Sequence, residues 1–205
     1  MMKNVNRYLL LTKFMIFIFI AVGISTIIPP IQDLDLLILK KIISYRTHNA
    51  TIFFKFITSF GSPMFFFPGT VALCIIYFFW QDVLGPLTVS LTMGSTYAIM
   101  EGLKQLFNRP RPIFAPLEPA KGFSFPSGHA MLCTVFLGLL AFWLIRRVCP
   151  RHRLLVIGII SALLLLIGLS RLYLGLHYPT DVVGGYTAGL AILSFSLAFM
   201  KKIKT

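Results

Sequence analysis

Two of the four histidines, His129 and His177, lie in short motifs that are rich in polar residues. Asp181 follows His177 by four residues, across Pro179, and proline is tolerated in the first turn of a helix. We therefore expect Asp181 to reach back and accept a hydrogen bond from one ring nitrogen of His177. Such a bond fixes the tautomer and raises the basicity of the other nitrogen. This is the orienting logic of a nucleophile–base–carboxylate arrangement, and His129, near a predicted helix start, would be the second partner that could protonate a leaving oxygen.

The same motifs predict a phosphate-binding site. Guanidinium forks match phosphate oxygens, and an ammonium group adds a point charge. Ser127 and Gly128 follow Pro126 at a predicted helix start, where free N–H groups point at an anion and Ser127 can cap or donate. Asp181 is the only carboxylate in these motifs, so they do not suit two-metal chemistry, and we expect no metal. The motif cations are Lys104, Arg111 and Arg171.

Each feature alone also has a structural interpretation. Lysines and arginines anchor membrane helices at the interface, a Pro-Ser-Gly sequence often begins a helix, and a histidine and an aspartate can form a structural pair. These interpretations lose force together, because all of the clusters would then have to reach one membrane face by chance.

The composition indicates that membrane helices position these residues. Of 205 residues, 57% are hydrophobic and 12% are charged, against about 25% charged in a soluble domain. The mean hydropathy is +0.85. The net charge of +13 would suit nucleic acid, but so little chain lies outside apolar runs that the positive-inside bias of membrane proteins explains it better. We predict a single all-α membrane domain over residues 1–205, with the motifs in a core from about 63 to 200.

Six apolar runs are each close to the roughly 20 residues needed to cross hydrocarbon. Between the first and second runs, Ile31, Leu34, Ile38 and Ile42 fall on one helical face. That spacing predicts an amphipathic helix in the membrane interface, with burial against the bundle as the alternative. The predicted spans are 9–28, 63–80, 86–106, 126–145, 154–174 and 179–200.

Six alternating spans would bring all three motifs to one membrane face. Ionisable residues at membrane depth are costly and usually functional. The basic N-terminal tail, the loop 146–153 and the C-terminal tail would then share the other face, which the positive-inside rule makes cytoplasmic. Each face carries nine Lys and Arg, so this rule favours the orientation only weakly. We predict a plasma-membrane protein with its active site on the extracytoplasmic face.

The motifs resemble those of the type 2 phosphatidic acid phosphatase superfamily, which also includes vanadium haloperoxidases and glucose-6-phosphatase. The family pattern is Lys-x6-Arg-Pro, then Pro-Ser-Gly-His, then Ser-Arg-x5-His-x3-Asp. The chain matches it over 104–112, 126–129 and 170–181 without a departure at any motif position. The resemblance extends from about residue 63 to the end and includes the six-span layout.

This resemblance implies a metal-independent lipid phosphatase without a cofactor. His177 would be the nucleophile, Asp181 its orienting group, and His129 the general acid and then the base that activates water. Small bacterial-looking members act on undecaprenyl diphosphate, phosphatidylglycerol phosphate, phosphatidate or lipid A 1-phosphate, and by analogy we favour the first two. The residues implied to bind the phosphoryl oxygens are Lys104, Arg111, Ser127, Gly128 and Arg171.

Three other functions use the same residues. A lipid-phosphate binding or transport protein would need the cations but neither histidine, and a phosphotransferase would pass the phosphate to an acceptor other than water. A haloperoxidase would bind vanadate in the same site, although the apolar chain favours a membrane substrate. Two neighbours have open roles: Arg109 could bind a second phosphate or a headgroup, and Glu101, one turn before Lys104, could pair with it.

Overall fold

The computed structural model describes residues 2–79, 84–114 and 116–203, and the side chains at 2–4, 63 and 203 are outside this description. Within these ranges the regular structure is helical. A short 3₁₀ turn, Pro150–His152, precedes the seventh helix. The helices are α1 (Met2–Ser25), α2 (Pro29–Ser44), α3 (His48–Ser59), α4 (Pro63–Phe79), α5 (Leu84–Phe107), α6 (Gly128–Ile145), α7 (Arg153–Tyr173) and α8 (Pro179–Ile203).

Proline and threonine set several helix starts. Helices α2, α4 and α8 each begin at a proline, whose fixed φ suits the first helical turn and whose missing N–H costs nothing there. Thr47 caps α3, because its side chain accepts a hydrogen bond from the N–H of Ala50. These helix starts fall between the apolar runs of the sequence.

Among the residues that the structure describes, four helical segments are long and apolar enough to cross a membrane, and α3 with α4 makes a fifth if the pair is one span bent by 43°. Helix α5 has 24 residues, on the order of 36 Å, but Glu101, Lys104 and several hydroxyl side chains make it less apolar. The all-α membrane class is therefore confirmed, whereas the predicted count of six spans is not. The end of the predicted run 63–80 falls at a residue outside the described ranges. The four single segments are Val5–Ser25, Gly128–Ile145, Pro150–Tyr173 and Pro179–Lys202.

Helix α6 lies at the centre of the bundle and packs against α5, α7 and α8. Its contact with α8 is close: a Cβ atom at Gly185 would lie 2.6 Å from the carbonyl oxygen of Ser127, and one at Gly189 would lie 2.8 Å from that of Met131. Small residues four apart allow two membrane helices to approach in this way. Helix α1 packs along α8 and turns large apolar side chains outward, as a lipid-facing helix does.

The segment predicted to lie in the interface packs one face against the bundle. Helix α2 contacts α7 and α8, and α3 contacts α7. On α2 the buried residues are Asp35 and Leu39, whereas Leu34, predicted on the apolar face, is half exposed. The interfacial placement is therefore not confirmed, and the face of α2 that meets the bundle is the one on which the carboxylate of Asp35 finds its partners.

Candidate active site

The three motifs meet where α5 and α7 end and α6 and α8 begin. Backbone hydrogen bonds hold the connecting segments together: the N–H of Ser124 donates to the carbonyl of Arg109 at 2.8 Å, and the N–H of Ser127 donates to the carbonyl of Asp181 at 2.9 Å. A third bond, 3.0 Å long, joins the N–H of Leu117 to a carbonyl of the turn between α7 and α8. The described parts of the connection between α5 and α6 are thus fixed at these points against the helices that carry the histidines.

His177 lies in the turn between α7 and α8 and is 2% exposed. Its Nε2 is 3.1 Å from Nη1 of Arg111. Its Nδ1 faces the other way, 3.4 Å from Oδ2 of Asp181 and 3.5 Å from Oγ of Ser124. The expected contact with Asp181 is present, although 3.4 Å is longer than a typical N–H···O bond. A proton on Nδ1 would leave the lone pair of Nε2 directed at the cations.

The environment of His177 keeps its ring neutral. Burial lowers the pKa of His177 to about 4; the contact with Asp181 opposes this shift, and the charges of Arg171 and Arg111 add to it. At neutral pH the imidazole therefore keeps a free electron pair, which a nucleophile requires.

Asp181 is fully buried and is held from several directions. It occupies the third position of α8, where Oδ2 accepts a 2.8 Å bond from the N–H of Tyr178, in the manner of the acidic residue of a capping box. The hydroxyl of Ser124 donates to the same oxygen. Nη1 of Arg109 donates to Oδ1 at 2.6 Å. One carboxylate thus caps the helix and lies beside Nδ1 of His177.

Arg111 is fixed by the turns around it. Nε donates to the carbonyl of Gly122 at 3.0 Å, Nη1 to that of Leu176 at 2.9 Å, and Nη2 to that of Lys121 at 3.1 Å. Burial lowers the pKa of Arg111, and nearby acidic groups oppose this shift. The guanidinium is held against Nε2 of His177, on the side where a phosphoryl group would be attacked.

Two buried polar atoms in the described part of the site have no hydrogen-bond partner: Oγ of Ser127 and Nε of Arg171. Ser127 is fully buried at the start of α6 and makes no capping bond. Nη1 of Arg171 donates to Oγ1 of Thr58 at 2.7 Å, which fixes the guanidinium plane. A buried unsatisfied polar atom costs about 1–3 kcal/mol. Both atoms can donate to a phosphate oxygen, which would recover this cost.

Lys104 and His129 complete the cluster. Nζ of Lys104 pairs with Oε1 of Glu101 at 2.9 Å, as the sequence suggests, and lies 3.7 Å from the point that a Cβ on Gly128 would occupy. The ring of His129 lies against Gly61, so closely that a Cβ there would overlap Cδ2 and lie 3.0 Å from Cγ. The charges of three motif cations act on this ring: Arg171, Lys104 and Arg111.

The eight residues predicted from the motifs therefore lie in one cluster, and their individual roles remain predictions. The sequence assigned no supporting role to several residues around them, because none occupies a defined position of a motif. Arg109 is one of these: its guanidinium bonds two carboxylates, so it is not available for a second phosphate. The only feature of the sequence that pointed to Arg109 was the repeated Arg-Pro pair. The other residues missed are Asp35, Thr58, Gly61, Ser124 and Thr180.

Metal-binding side chains are not grouped in the part of the chain that the structure describes. No three His, Cys, Asp or Glu residues there are arranged to hold a metal ion. The groups that can neutralise a phosphate are the cations and the start of α6.

The chain resembles known proteins over almost its whole length. It is 32% identical to phosphatidylglycerophosphatase B of Bacillus subtilis over 193 residues, covering 93% of this chain and 94% of that protein. It is 28% identical to an undecaprenyl-diphosphatase of Sulfolobus acidocaldarius over 176 residues, covering 81% of this chain and 80% of the relative.

Two solved structures share the fold. A crystal structure of a transmembrane PAP2 type phosphatidylglycerolphosphate phosphatase from Bacillus subtilis superposes with a TM-score of 0.88 at 30% identity, covering 94% and 96% of the two chains. The structure of Aquifex aeolicus LpxE superposes with a TM-score of 0.65 at 27% identity, covering 80% and 94%. The PAP2 superfamily model matches residues 85–204, the region that contains all three motifs. By this match, and by the resemblance along almost its whole length, the chain belongs to the PAP2 superfamily.

Proposed function

We propose that the protein is an integral-membrane phosphatase that removes a phosphate from a lipid phosphate or diphosphate through a phosphohistidine at His177. The observation that carries this proposal is the buried, neutral imidazole between Asp181 and Arg111. Beside it, Ser127 and Arg171 offer buried polar atoms without partners. A nucleophile and a phosphate cradle are thus adjacent.

In the first step, the lone pair of Nε2 of His177 attacks phosphorus while the bond from phosphorus to the lipid oxygen breaks. The leaving oxygen takes a proton from His129, so the lipid departs as an alcohol, or as a monophosphate when the substrate is a diphosphate. Asp181 holds Nδ1–H and stabilises the positive charge that develops on the imidazole. The cations and the N–H groups at the start of α6 bind the equatorial oxygens, where charge collects in the transition state.

In the second step, water attacks the phosphohistidine. His129, now neutral, removes a proton from the water as its oxygen bonds to phosphorus, and the electron pair of the P–N bond returns to Nε2. Inorganic phosphate leaves, and both histidines regain their starting states.

A groove between α1, α5 and α8 supports a lipid substrate. Its volume is about 630 Å³, and most of its lining is apolar. It reaches from Thr88 to Leu103 along α5, on the order of 22 Å, and Leu103 directly precedes Lys104. At the site end, Phe19 lines the groove and stacks on Phe125 with 5.6 Å between ring centroids. A phosphorylated headgroup at the cations would place its tail in this groove.

The names of the relatives narrow the substrate. One is a phosphatidylglycerophosphatase and another an undecaprenyl-diphosphatase, and the chain covers at least four fifths of each. Phosphatidylglycerol phosphate and undecaprenyl diphosphate are therefore the favoured substrates, followed by phosphatidate and lipid A 1-phosphate. We further propose six spans, with α4 and α5 each crossing the plasma membrane and the site at the extracytoplasmic face. The basic loop after α6, at the opposite end from the site, supports this orientation.

The test is phosphate release from the four lipids by the purified protein in detergent with EDTA, and His177→Ala as the inactive control. We expect release from one lipid far above the others, unaffected by EDTA and lost in the variant. Full activity in His177→Ala would overturn the mechanism. Lipid binding without turnover by the wild type would favour a binding or transport protein. Transfer of phosphate to an added alcohol faster than to water would favour the phosphotransferase.

A further inference from the structure

Asp35 reaches the candidate site from a helix outside the region that the family model matches. It lies on α2, whereas the match begins at residue 85. Its side chain is 3% exposed, although the neighbouring Asp33 on the same helix is exposed. A buried carboxylate requires partners, and those of Asp35 lie in the loop after α5 and in the first turn of α8.

Arg109 connects this carboxylate to Asp181. Nη2 of Arg109 is 2.7 Å from Oδ2 of Asp35, and Nη1 is 2.6 Å from Oδ1 of Asp181. The guanidinium also lies over the ring of Tyr178, 4.2 Å from its centroid, and Nη1 donates to Oγ1 of Thr180 at 2.7 Å. A planar fork held on several sides has little freedom to turn.

Asp35 also holds the start of α8 directly. Its Oδ1 accepts a 3.0 Å bond from the N–H of Thr180, and its Oδ2 accepts a 2.5 Å bond from the hydroxyl of the same residue. An N–H in the first turn of a helix has no partner within the helix, and a carboxylate is favoured there. Asp35 therefore fixes the residue that immediately precedes Asp181.

We propose that Asp35 and Arg109 are positioning residues for Asp181 in the reaction proposed above, on which this inference rests. Neither of them contacts His177. Asp35 holds Arg109 and the first turn of α8, and these two fix the carboxylate that orients His177. The N-terminal helices thus set the geometry of the nucleophile, although the family motifs lie elsewhere.

If Asp35 and Arg109 had only a structural role, their variants would give a different result. A buried ion pair that only stabilises the fold would change the amount of folded protein, and the folded fraction would turn over normally. A positioning role lowers kcat in the folded protein, because a misplacement of about 1 Å can cost about 100-fold in rate.

The main variant is Asp35→Asn, which keeps the shape of the side chain and an acceptor for Thr180. Asp33→Asn on the same helix is the matched control. We expect kcat to fall about 10- to 100-fold in Asp35→Asn with little change in KM, and no change in Asp33→Asn. Arg109→Lys keeps the charge but loses the fork, so we expect a similar fall. Unchanged kcat in Asp35→Asn and Arg109→Lys would overturn the proposal.

A double-mutant cycle isolates the path through Asp181. If Asp35 acts through Asp181, Asp35→Asn has little further effect on kcat in an Asp181→Asn background. Full additivity of the two losses would overturn the proposal even where Asp35→Asn lowers activity. Thermal unfolding in detergent reports whether each variant is folded.

A readout without turnover separates this inference from the proposed function. The ring nitrogens of His177, assigned with His177→Gln, give ¹⁵N signals that report its tautomer and hydrogen bonding. We expect Asp35→Asn to shift these signals and Asp33→Asn to leave them unchanged. If the wild type is inactive but Asp35→Asn shifts the His177 signals, the proposed phosphatase function is overturned and the positioning role of Asp35 is supported. If the wild type is active but Asp35→Asn leaves the signals unshifted, the phosphatase function is supported and the positioning role is overturned.

Discussion

Two regions of the molecule build the candidate site, and they contribute different things. The region from α5 to the start of α8 contributes every motif residue, including the imidazole of His177 and the guanidinium groups that face it. Helices α2 and α3 and the turn after them contribute residues that each contact a residue of the first region: Asp35 holds Arg109, Thr58 holds Arg171, and Gly61 lies against His129. The comparison teaches that the motif region carries the predicted reactive groups together with some residues that hold them, such as Arg109 and Ser124, whereas further supporting residues come from the N-terminal helices.

The largest expected effect lies in the reactive region. His177→Gln removes the nucleophile, and we expect phosphate release to fall at least about 10³-fold. The measurement is incubation with ³²P-labelled substrate followed by quenching in alkali, in which phosphohistidine is stable. Label on the wild-type protein that alkali preserves and acid removes is the expected result. The same label on His177→Gln would show that another residue is phosphorylated.

Gly61 tests the supporting region at His129. A methyl group in Gly61→Ala would overlap the His129 ring and displace it, so we expect kcat to fall about 100-fold. Gly158→Ala on α7 is the control, since a Cβ there meets no atom within 4 Å. Equal rates in the two variants would mean that the ring can shift without loss of function.

Thr58 tests the same region at Arg171. Thr58→Val removes the hydroxyl that accepts from Nη1 of Arg171, and a hydrogen bond to a charged group is worth about 1.5–3 kcal/mol. We expect vanadate, as a phosphate mimic, to inhibit about tenfold more weakly. Thr58→Ser keeps the hydroxyl, so we expect vanadate to inhibit this variant as strongly as it inhibits the wild type. Weaker inhibition in both variants would point to packing rather than to the hydrogen bond.

The smallest expected effect is a pH dependence of stability. The pKa of His177 is lowered by burial from its usual 6.5 to about 4 in the folded protein. Between these values the unfolded chain binds a proton that the folded protein does not, so stability falls as pH decreases from 6.5 to 4. Thermal midpoints in detergent should fall less over this range in His177→Gln than in the wild type. If the thermal midpoints of the wild type and His177→Gln fall equally with decreasing pH, His177 is not the group that makes stability depend on pH.

The clustering of the motif residues could be predicted from the sequence, because they sit at fixed spacings around helix ends. Asp181 at the third position of a proline-started helix could only point back toward His177. Asp35 could not be found by such reasoning: the apolar pattern placed Leu34 on the apolar face of an interfacial helix, whereas an ion pair with Arg109, distant in the sequence, buries Asp35 against the bundle. Helix α5 shows a similar limit, since its hydroxyl and charged residues lower its apolarity while its length suits a span.

The close contact at Gly185 has a consequence for motion. There is no space for even a methyl group between α8 and the carbonyl of Ser127, so α6 and α8 cannot slide past each other without collision. Tightly packed backbones behave as one rigid body. Any opening that admits a bulky tail must therefore come from displacement of α1 or α5, which form the other walls of the groove, while the phosphate cradle and the nucleophile stay in register.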